Sequence, residues 1–219
     1  MNYVKICGLK EIKNIQTCID YGADAIGFIY NVPKSPRNLN QRNINQFHKS
    51  VYNQILTVGV TKAKKLRDIN RMNAKIDTDL LQIHCSLSFD SLSKLSSSLK
   101  KKMIIARKMN FSNLKKLQND IRKHSDDFYG FLIDNSEGHG DTLKINLVKH
   151  FLDGLNDERI ILAGGISIGN IEQVVMNLNP YGIDVSSSLE SKKGLKNDKK
   201  IEDFLKKINN INDKRGLNS

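Results

Sequence analysis

Cys7, in "KICGL", ends a short apolar run and is followed at once by glycine; Asp134, in "FLID", ends another run much later in the chain. A thiolate takes a proton and a carboxylic acid gives one, so the two have the makings of a general base and a general acid. Free cysteine is also a common core residue, and type alone leaves Cys7 open to either reading. Arg37, in "KSPRNL", brings a guanidinium, which grips a carboxylate through two parallel N–H bonds as lysine does not. "LAGGIS" places Gly164 and Gly165 ahead of a helix expected to begin near Ser167. Such glycines let backbone N–H groups approach an anion, and a helix N-terminus adds a favourable field. "DVSSSLES" supplies Asp184, Ser186 and Ser187, whose hydroxyls and N–H groups suit the same task. His84, beside Cys85 in "LQIHC", is a further polar group ending an apolar run.

The elements that carry these residues alternate. Strand-like runs are read at 3–7, 24–30, 55–60, 79–84, 103–108, 129–134, 159–164 and 181–186, each β-branched or apolar. Segments of helical period follow each of them, among them a single helix over 88–100 that repeats leucine at 92, 95 and 99. Eight strand–helix units in about 200–250 residues match the count and size of a closed (β/α)8 barrel, a TIM barrel, as one α/β domain. A doubly wound open sheet is the runner-up, but it has fewer strands and wants a glycine-rich first turn. The barrel spans residues 1–208 in this reading, and residues 209–219 form a frayed tail. In such barrels the reactive groups sit at the C-terminal strand ends, where phosphate binding after strands 7 and 8 recurs. That register puts Cys7, Arg37, His84, Asp134 and both anion-binding segments at one mouth.

Composition narrows the function. No apolar stretch reaches the roughly 18–20 residues of a membrane span, and no export signal opens the chain, which reads as cytoplasmic. Three widely spaced cysteines, Cys7, Cys18 and Cys85, form no Cys-x-x-Cys pair, against a disulfide framework or a structural zinc site. The formal net charge of +12 comes from lysines scattered over polar helix faces without interleaved aromatics, so no nucleic-acid partner is inferred. A metal held by Cys7, His84, Cys85 and His139 lacks ligand spacing, and Cys7 as a nucleophile lacks an assured paired base.

The motifs "KICGL", "GADAIGFIY", "SPR", "LQIH", "LID", "GHG", "LAGGIS", "DVSSSLE" and "GLKND" occur in one order from residue 3 to about 208. Together they resemble phosphoribosylanthranilate isomerase, the TIM barrel of tryptophan biosynthesis. The resemblance implies an aldose–ketose isomerase, an intramolecular oxidoreductase working on N-(5-phosphoribosyl)anthranilate by Amadori rearrangement, without metal or organic cofactor. It implies Asp134 as general acid, Cys7 as general base and Arg37 on the anthranilate carboxylate. Gly164, Gly165, Ser186 and Ser187 would line the phosphate site, with His84 and Asp184 counted among the substrate-binding residues. The partner expected is this small phosphosugar alone, bound by a monomer. Cys85 and Ser188 stand where the family usually has glycine, and the nearest rival barrel is the related histidine-pathway enzyme, which resembles a doubled half-barrel and uses two aspartates, whereas strand 1 here ends in Cys7.

Overall fold

The computed structural model describes residues 1–134, 145–155 and 158–216. Eight parallel strands form the barrel: β1 Tyr3–Cys7, β2 Ala25–Tyr30, β3 Leu56–Ala63, β4 Leu80–Cys85, β5 Met103–Lys108, β6 Gly130–Asp134, β7 Ile160–Ala163 and β8 Gly182–Val185. Each pairs with the next, and β1 closes the sheet by pairing with both β2 and β8. All eight runs read from the sequence are barrel strands, to within one to three residues at their ends. The helices are α1 Ile12–Asp20, α2 Gln41–Ser50, α3 Leu66–Lys75, α4 Phe89–Leu92, α5 Ser97–Lys100, α6 Leu114–Lys123, α7 Ile145–Leu152, α8 Ile171–Leu178 and α9 Asp198–Lys214.

Strand alternation sorts the core into two regions. Along β1, Val4 and Ile6 face the helices and join the large apolar layer with Ile15, Ile44, Ile69, Phe131 and Phe204. Tyr3 and Cys7 instead join a smaller cluster inside the barrel with Ala25, Val58, Leu80, Ile104, Leu132 and Ile161. Lys5, between them in the alternation, is inside as well and fully buried. At the N-terminal end, the ring of Tyr3 stacks on Tyr181 at 6.2 Å and tilts against Tyr129 at 6.4 Å, while the Arg159 guanidinium lies over Tyr129.

Three expectations are corrected. The helix expected over 88–100 is two short helices, α4 and α5. Ser88 and Ser96 each accept a backbone N–H, from Ser91 and Leu99, so a serine restarts the helix where the leucine period alone predicts continuity. The tail expected to fray from 209 is helical to Lys214, because Ile211 and Asn212 are buried against the barrel. The helix after β7 starts at Ile171 rather than near Ser167; Asn170 occupies the cap and accepts the N–H of Ser167.

Short extra strands decorate the C-terminal end of the barrel. Asn38–Leu39 pairs beside β2, and Glu190–Lys192 pairs antiparallel with Leu195–Lys196 as a small hairpin after β8. The segment "NSEGHG" with Asp141 and Lys144, and with it His139, lies outside the described residues.

Candidate active site

The C-terminal mouth of the barrel opens into a cavity of about 680 Å³. Cys7, Arg37, His84, Asp134, Gly164, Gly165, Asp184, Ser186 and Ser187, every site residue read from the sequence, line it. Cys85 is absent from the lining. Its sulfur points away from the barrel axis and accepts from the Arg107 guanidinium at 3.1 Å, so it does not crowd the mouth. Ser188 does line the cavity, with its hydroxyl turned aside to the Ile166 carbonyl at 2.7 Å, which ties the loop after β8 to the loop after β7.

Gly8 explains why Cys7 is followed by glycine. It sits at φ +81°, in the left-handed region, and a Cβ there would lie 2.5 Å from Arg37 Cδ. The missing side chain therefore lets the stem of Arg37 cross the start of the loop. Gly27, beside Cys7 in the sheet register, makes a second gap: a Cβ there would lie 2.9 Å from both Cys7 Sγ and Lys5 Nζ. Gly164 and Gly165 both hold positive φ, at +87° and +69°, a turn that non-glycine residues adopt only with strain.

Two buried charge networks meet at this mouth. In the first, Lys5 Nζ donates to Asp184 Oδ1 at 2.9 Å, and Gln82 Nε2 lies 3.4 Å from Asp184 Oδ2 and 3.1 Å from His84 Nε2. Burial would strip the Lys5 proton, but Asp184 and the neighbouring Cys7 outweigh it, leaving lysine more basic than usual. Burial pushes the His84 imidazole below its ordinary value, so it is neutral around pH 7 and accepts from the Gln82 amide. Gln82 Oε1, also buried, has no hydrogen-bond partner among the described residues.

In the second network Glu190 is the hub. Arg37 donates to it through Nε at 2.5 Å and Nη2 at 2.8 Å, Lys196 Nζ at 3.0 Å, and the Gly194 N–H at 2.9 Å. Burial raises this carboxyl, but Arg37, Gly194 and Lys196 together hold it down at about 2. Lys196 also donates to the Ser186 carbonyl at 2.9 Å, and Ser186 Oγ donates to the Cys7 carbonyl at 3.0 Å. The hairpin thus braces the end of β1. Arg37, expected from its type to be open for a carboxylate, already has one edge on Glu190, leaving Nη1 and the second N–H of Nη2 for another acceptor.

Between the two networks lies Cys7, itself buried. Burial pushes its thiol up and Asp184 adds to this, while Lys5 and Lys196 pull it back down. Lys5, Gln82, Glu190 and Lys196 were missed from sequence because each is a common surface residue type. The strand alternation still held one signal, since it put Lys5 on the same face as Cys7.

A family model described as N-(5'-phosphoribosyl)anthranilate (PRA) isomerase matches residues 4–207. An N-(5'-phosphoribosyl)anthranilate isomerase from Bacillus mycoides (strain KBAB4) is 30% identical over 207 residues, covering 93% of this chain and 96% of the relative. Another, from Sulfurihydrogenibium sp. (strain YO3AOP1), is 30% identical over 215 residues, covering 94% and 98%. Among solved structures, the phosphoribosylanthranilate isomerase of Thermotoga maritima, described there as monomers made from a dimeric protein, superposes with a TM-score of 0.81 at 22% identity, covering 96% of this chain and all of that one. That likeness shows the same fold. With the family model spanning most of the barrel, the chain belongs to the N-(5'-phosphoribosyl)anthranilate isomerase family.

Proposed function

We propose that Cys7 and Asp134 move the protons of the family's reaction on this chain, with the substrate held across the mouth between Arg37 and the loops after β7 and β8. The reaction follows from membership. The chain is an enzyme of tryptophan biosynthesis that isomerises N-(5-phosphoribosyl)anthranilate, an aminoaldose, to 1-(2-carboxyphenylamino)-1-deoxyribulose 5-phosphate, a ketose.

Asp134, the general acid, gives its proton to the ribose ring oxygen as the C1–O bond breaks, and the nitrogen lone pair forms a C1=N iminium. Cys7 thiolate, the general base, then takes the proton from C2, and those electrons make a C1=C2 enolamine while nitrogen regains its lone pair. Tautomerisation moves a proton from the C2 hydroxyl to C1, leaving a ketone at C2. The groups come from β1 and β6, two strands whose ends line the same cavity. This shared cavity is the observation that carries the proposal.

The free edge of the Arg37 guanidinium takes the anthranilate carboxylate. Gly164, Gly165, Ser186 and Ser187 take the phosphate, offering backbone N–H groups turned by positive φ and two hydroxyls. Asp184, which also holds Lys5, and neutral His84 line the same cavity. A solved structure of a family member carries reduced 1-(o-carboxyphenylamino)-1-deoxyribulose 5-phosphate, a phosphosugar joined to a carboxyphenyl ring. An anion site paired with a carboxylate site suits that ligand's two ends.

We read the enzyme as a monomer, since the proposed acid, base and both anchors sit in the mouth of one barrel and the reaction as drawn asks nothing of a second copy. No helix among the described residues is long and apolar enough to cross a membrane, which fits the cytoplasmic reading. The test generates the labile substrate in situ and follows the decay of anthranilate fluorescence. Turnover by the parent chain that disappears in Cys7→Ala and in Asp134→Asn is the expected result. Turnover surviving both substitutions overturns the roles given to them, and sedimentation as a dimer would overturn the monomer.

A further inference from the structure

A lysine that is fully buried inside a barrel must have a reason to be there, because taking an ammonium out of water is costly unless it is paired. Lys5 lies two residues before Cys7 on β1, so both side chains point inward. Its ammonium is held from the far side by Asp184 of β8 at 2.9 Å. On the near side, Lys5 Nζ and Cys7 Sγ share the space left by Gly27, each 2.9 Å from where a Cβ would sit. Nothing wider than a hydrogen separates β2 from this pair.

We propose that Lys5 is a positioning residue for the Cys7 thiolate, its ammonium fixed by Asp184 so that it faces the sulfur whenever the base is ionised. The inference rests on Cys7 acting as the base. Asp184 alone would serve a structural pair, and Gly27 alone would serve close strand packing. Together they make a slot in which a cation is clamped against one sulfur and cannot swing to solvent. The charges facing the sulfur come from every neighbouring element: Lys5 from its own strand, Asp184 from β8, Lys196 from the hairpin, and Arg37 from the loop after β2. Tyr3 lies further along the interior of β1, and His84 of β4 stays neutral. Of the cations, Lys196 and Arg37 both bond Glu190, whereas Lys5 is the one wedged beside the sulfur. Burial pushes the thiol up, and Lys5 is the largest influence pulling it back.

The test compares the parent with Lys5→Met, which keeps the length of the side chain and removes its charge. Alkylation of Cys7 by iodoacetamide is read peptide by peptide across a pH series, with Cys85 as the internal control, beside the pH profile of kcat/KM. A folded Lys5→Met protein is expected to need at least one pH unit more alkali for half-maximal alkylation of Cys7. Its kcat should drop tenfold or more near neutrality and recover as pH rises, with KM little changed. An unmoved alkylation midpoint in the folded variant overturns the proposal. Should Lys5→Met not fold, the parent protein still decides: the Lys5 Nζ resonance, followed by 15N NMR, must show an inflection where Cys7 titrates, and that inflection must vanish in Cys7→Ala. No inflection overturns it equally. Alkylation and NMR do not use turnover, so a failure of Cys7 as base, seen as activity in Cys7→Ala, is distinguishable from a failure of Lys5 to couple to it.

Discussion

At the N-terminal end of the barrel, Tyr3, Tyr129 and Tyr181 pack ring against ring beneath the Arg159 guanidinium. Four residues along the same strand, at the C-terminal end, Cys7 sits among Lys5, Asp184, Lys196 and Arg37. Both ends are filled, but the filling differs in kind. Aromatic stacking gains from burial at every contact. Buried charges gain from one another only what desolvation has first taken away, so such a cluster is weak support for stability. Among the described residues the barrel interior carries this cluster of Lys5, Asp184, Glu190 and Lys196 at its C-terminal end, which marks that end as the place where the fold is organised around chemistry. The glycines agree: Gly8 and Gly27 leave room for Arg37, Lys5 and Cys7 at the catalytic end, while Gly182 at the other end lets the backbone of Tyr3 approach closely.

The sharpest way to break this contrast is at the reacting groups. Cys7→Ala and Asp134→Asn are each expected to lower kcat by about 10²–10⁴-fold, the usual worth of a general acid or base. Thermal unfolding should change little, because Cys7 is a small buried side chain and Asp134 borders a cavity. A variant that lost stability in proportion to activity would make the two ends alike after all. The parent's kcat/KM should climb on the alkaline side of neutrality, since burial raises the thiol and only its ionised form takes a proton.

Next in size is Gly8→Ala. The new methyl meets Arg37 Cδ, and alanine at φ +81° is strained by about 1 kcal/mol or more. A shifted guanidinium should raise KM by roughly tenfold, about the 1.4 kcal/mol of one good hydrogen bond to a charged group, and cost some stability as well. Steady-state kinetics with the in situ assay separates the two, and an unchanged KM would remove Arg37 from the carboxylate site.

Glu190→Gln tests the hub behind Arg37, and its signature is a pH dependence. The carboxyl titrates near 2 in the fold against an ordinary 4.5, so its stabilising contribution is complete above about 4.5 and is lost as pH falls toward 2. Melting temperature measured from pH 6 to pH 2 should therefore fall less steeply in Glu190→Gln than in the parent. At neutral pH the variant should be less stable and bind substrate more weakly, because Arg37 and Lys196 lose their shared charge and one of the two accepting oxygens becomes an N–H donor. Identical slopes in acid would mean that Glu190 does not carry the network.

How far each end was legible in sequence follows from the physics that shapes it. The barrel was readable because strand runs such as "YVKIC" and "RIILAG" are short, β-branched and separated by helical periods, and because eight such units close only one way. That Cys7 and Asp134 would meet at one cavity was readable because strand ends fix which residues face the mouth of a barrel. Helix 88–100 was misread because a leucine period records which face is buried, while the serines that break the helix act through caps that the period does not record. Lys5, Glu190 and Lys196 were missed for a related reason: whether a charged side chain is solvated or clamped depends on its partner, which for Lys5 and Glu190 lies 179 and 153 residues away in sequence, and Lys196 is clamped only because Glu190 is. The frayed tail was misjudged because Ile211 is set among polar residues, yet it completes the face of α9 begun by Ile201, Phe204 and Ile208.

The smallest effect is expected at the opposite end, and it closes the contrast. The Tyr3 hydroxyl is buried and has no hydrogen-bond partner among the described residues. An unsatisfied buried hydroxyl costs about 1–3 kcal/mol, whereas its ring contributes by stacking whether or not the oxygen is there. Tyr3→Phe keeps the 6.2 Å stack on Tyr181 and removes the orphan oxygen, so it should leave stability unchanged or raise it by up to about 1 kcal/mol, a few degrees in melting temperature. Activity should stay within twofold, since three residues of strand separate Tyr3 from Cys7 and the interior between them is packed by Lys5 and its apolar neighbours. A clear loss of activity in a Tyr3→Phe protein of undiminished stability would show that the tyrosine end communicates with the thiol through Lys5. The boundary between the packing end and the chemical end would then lie lower in the barrel than the charge distribution places it.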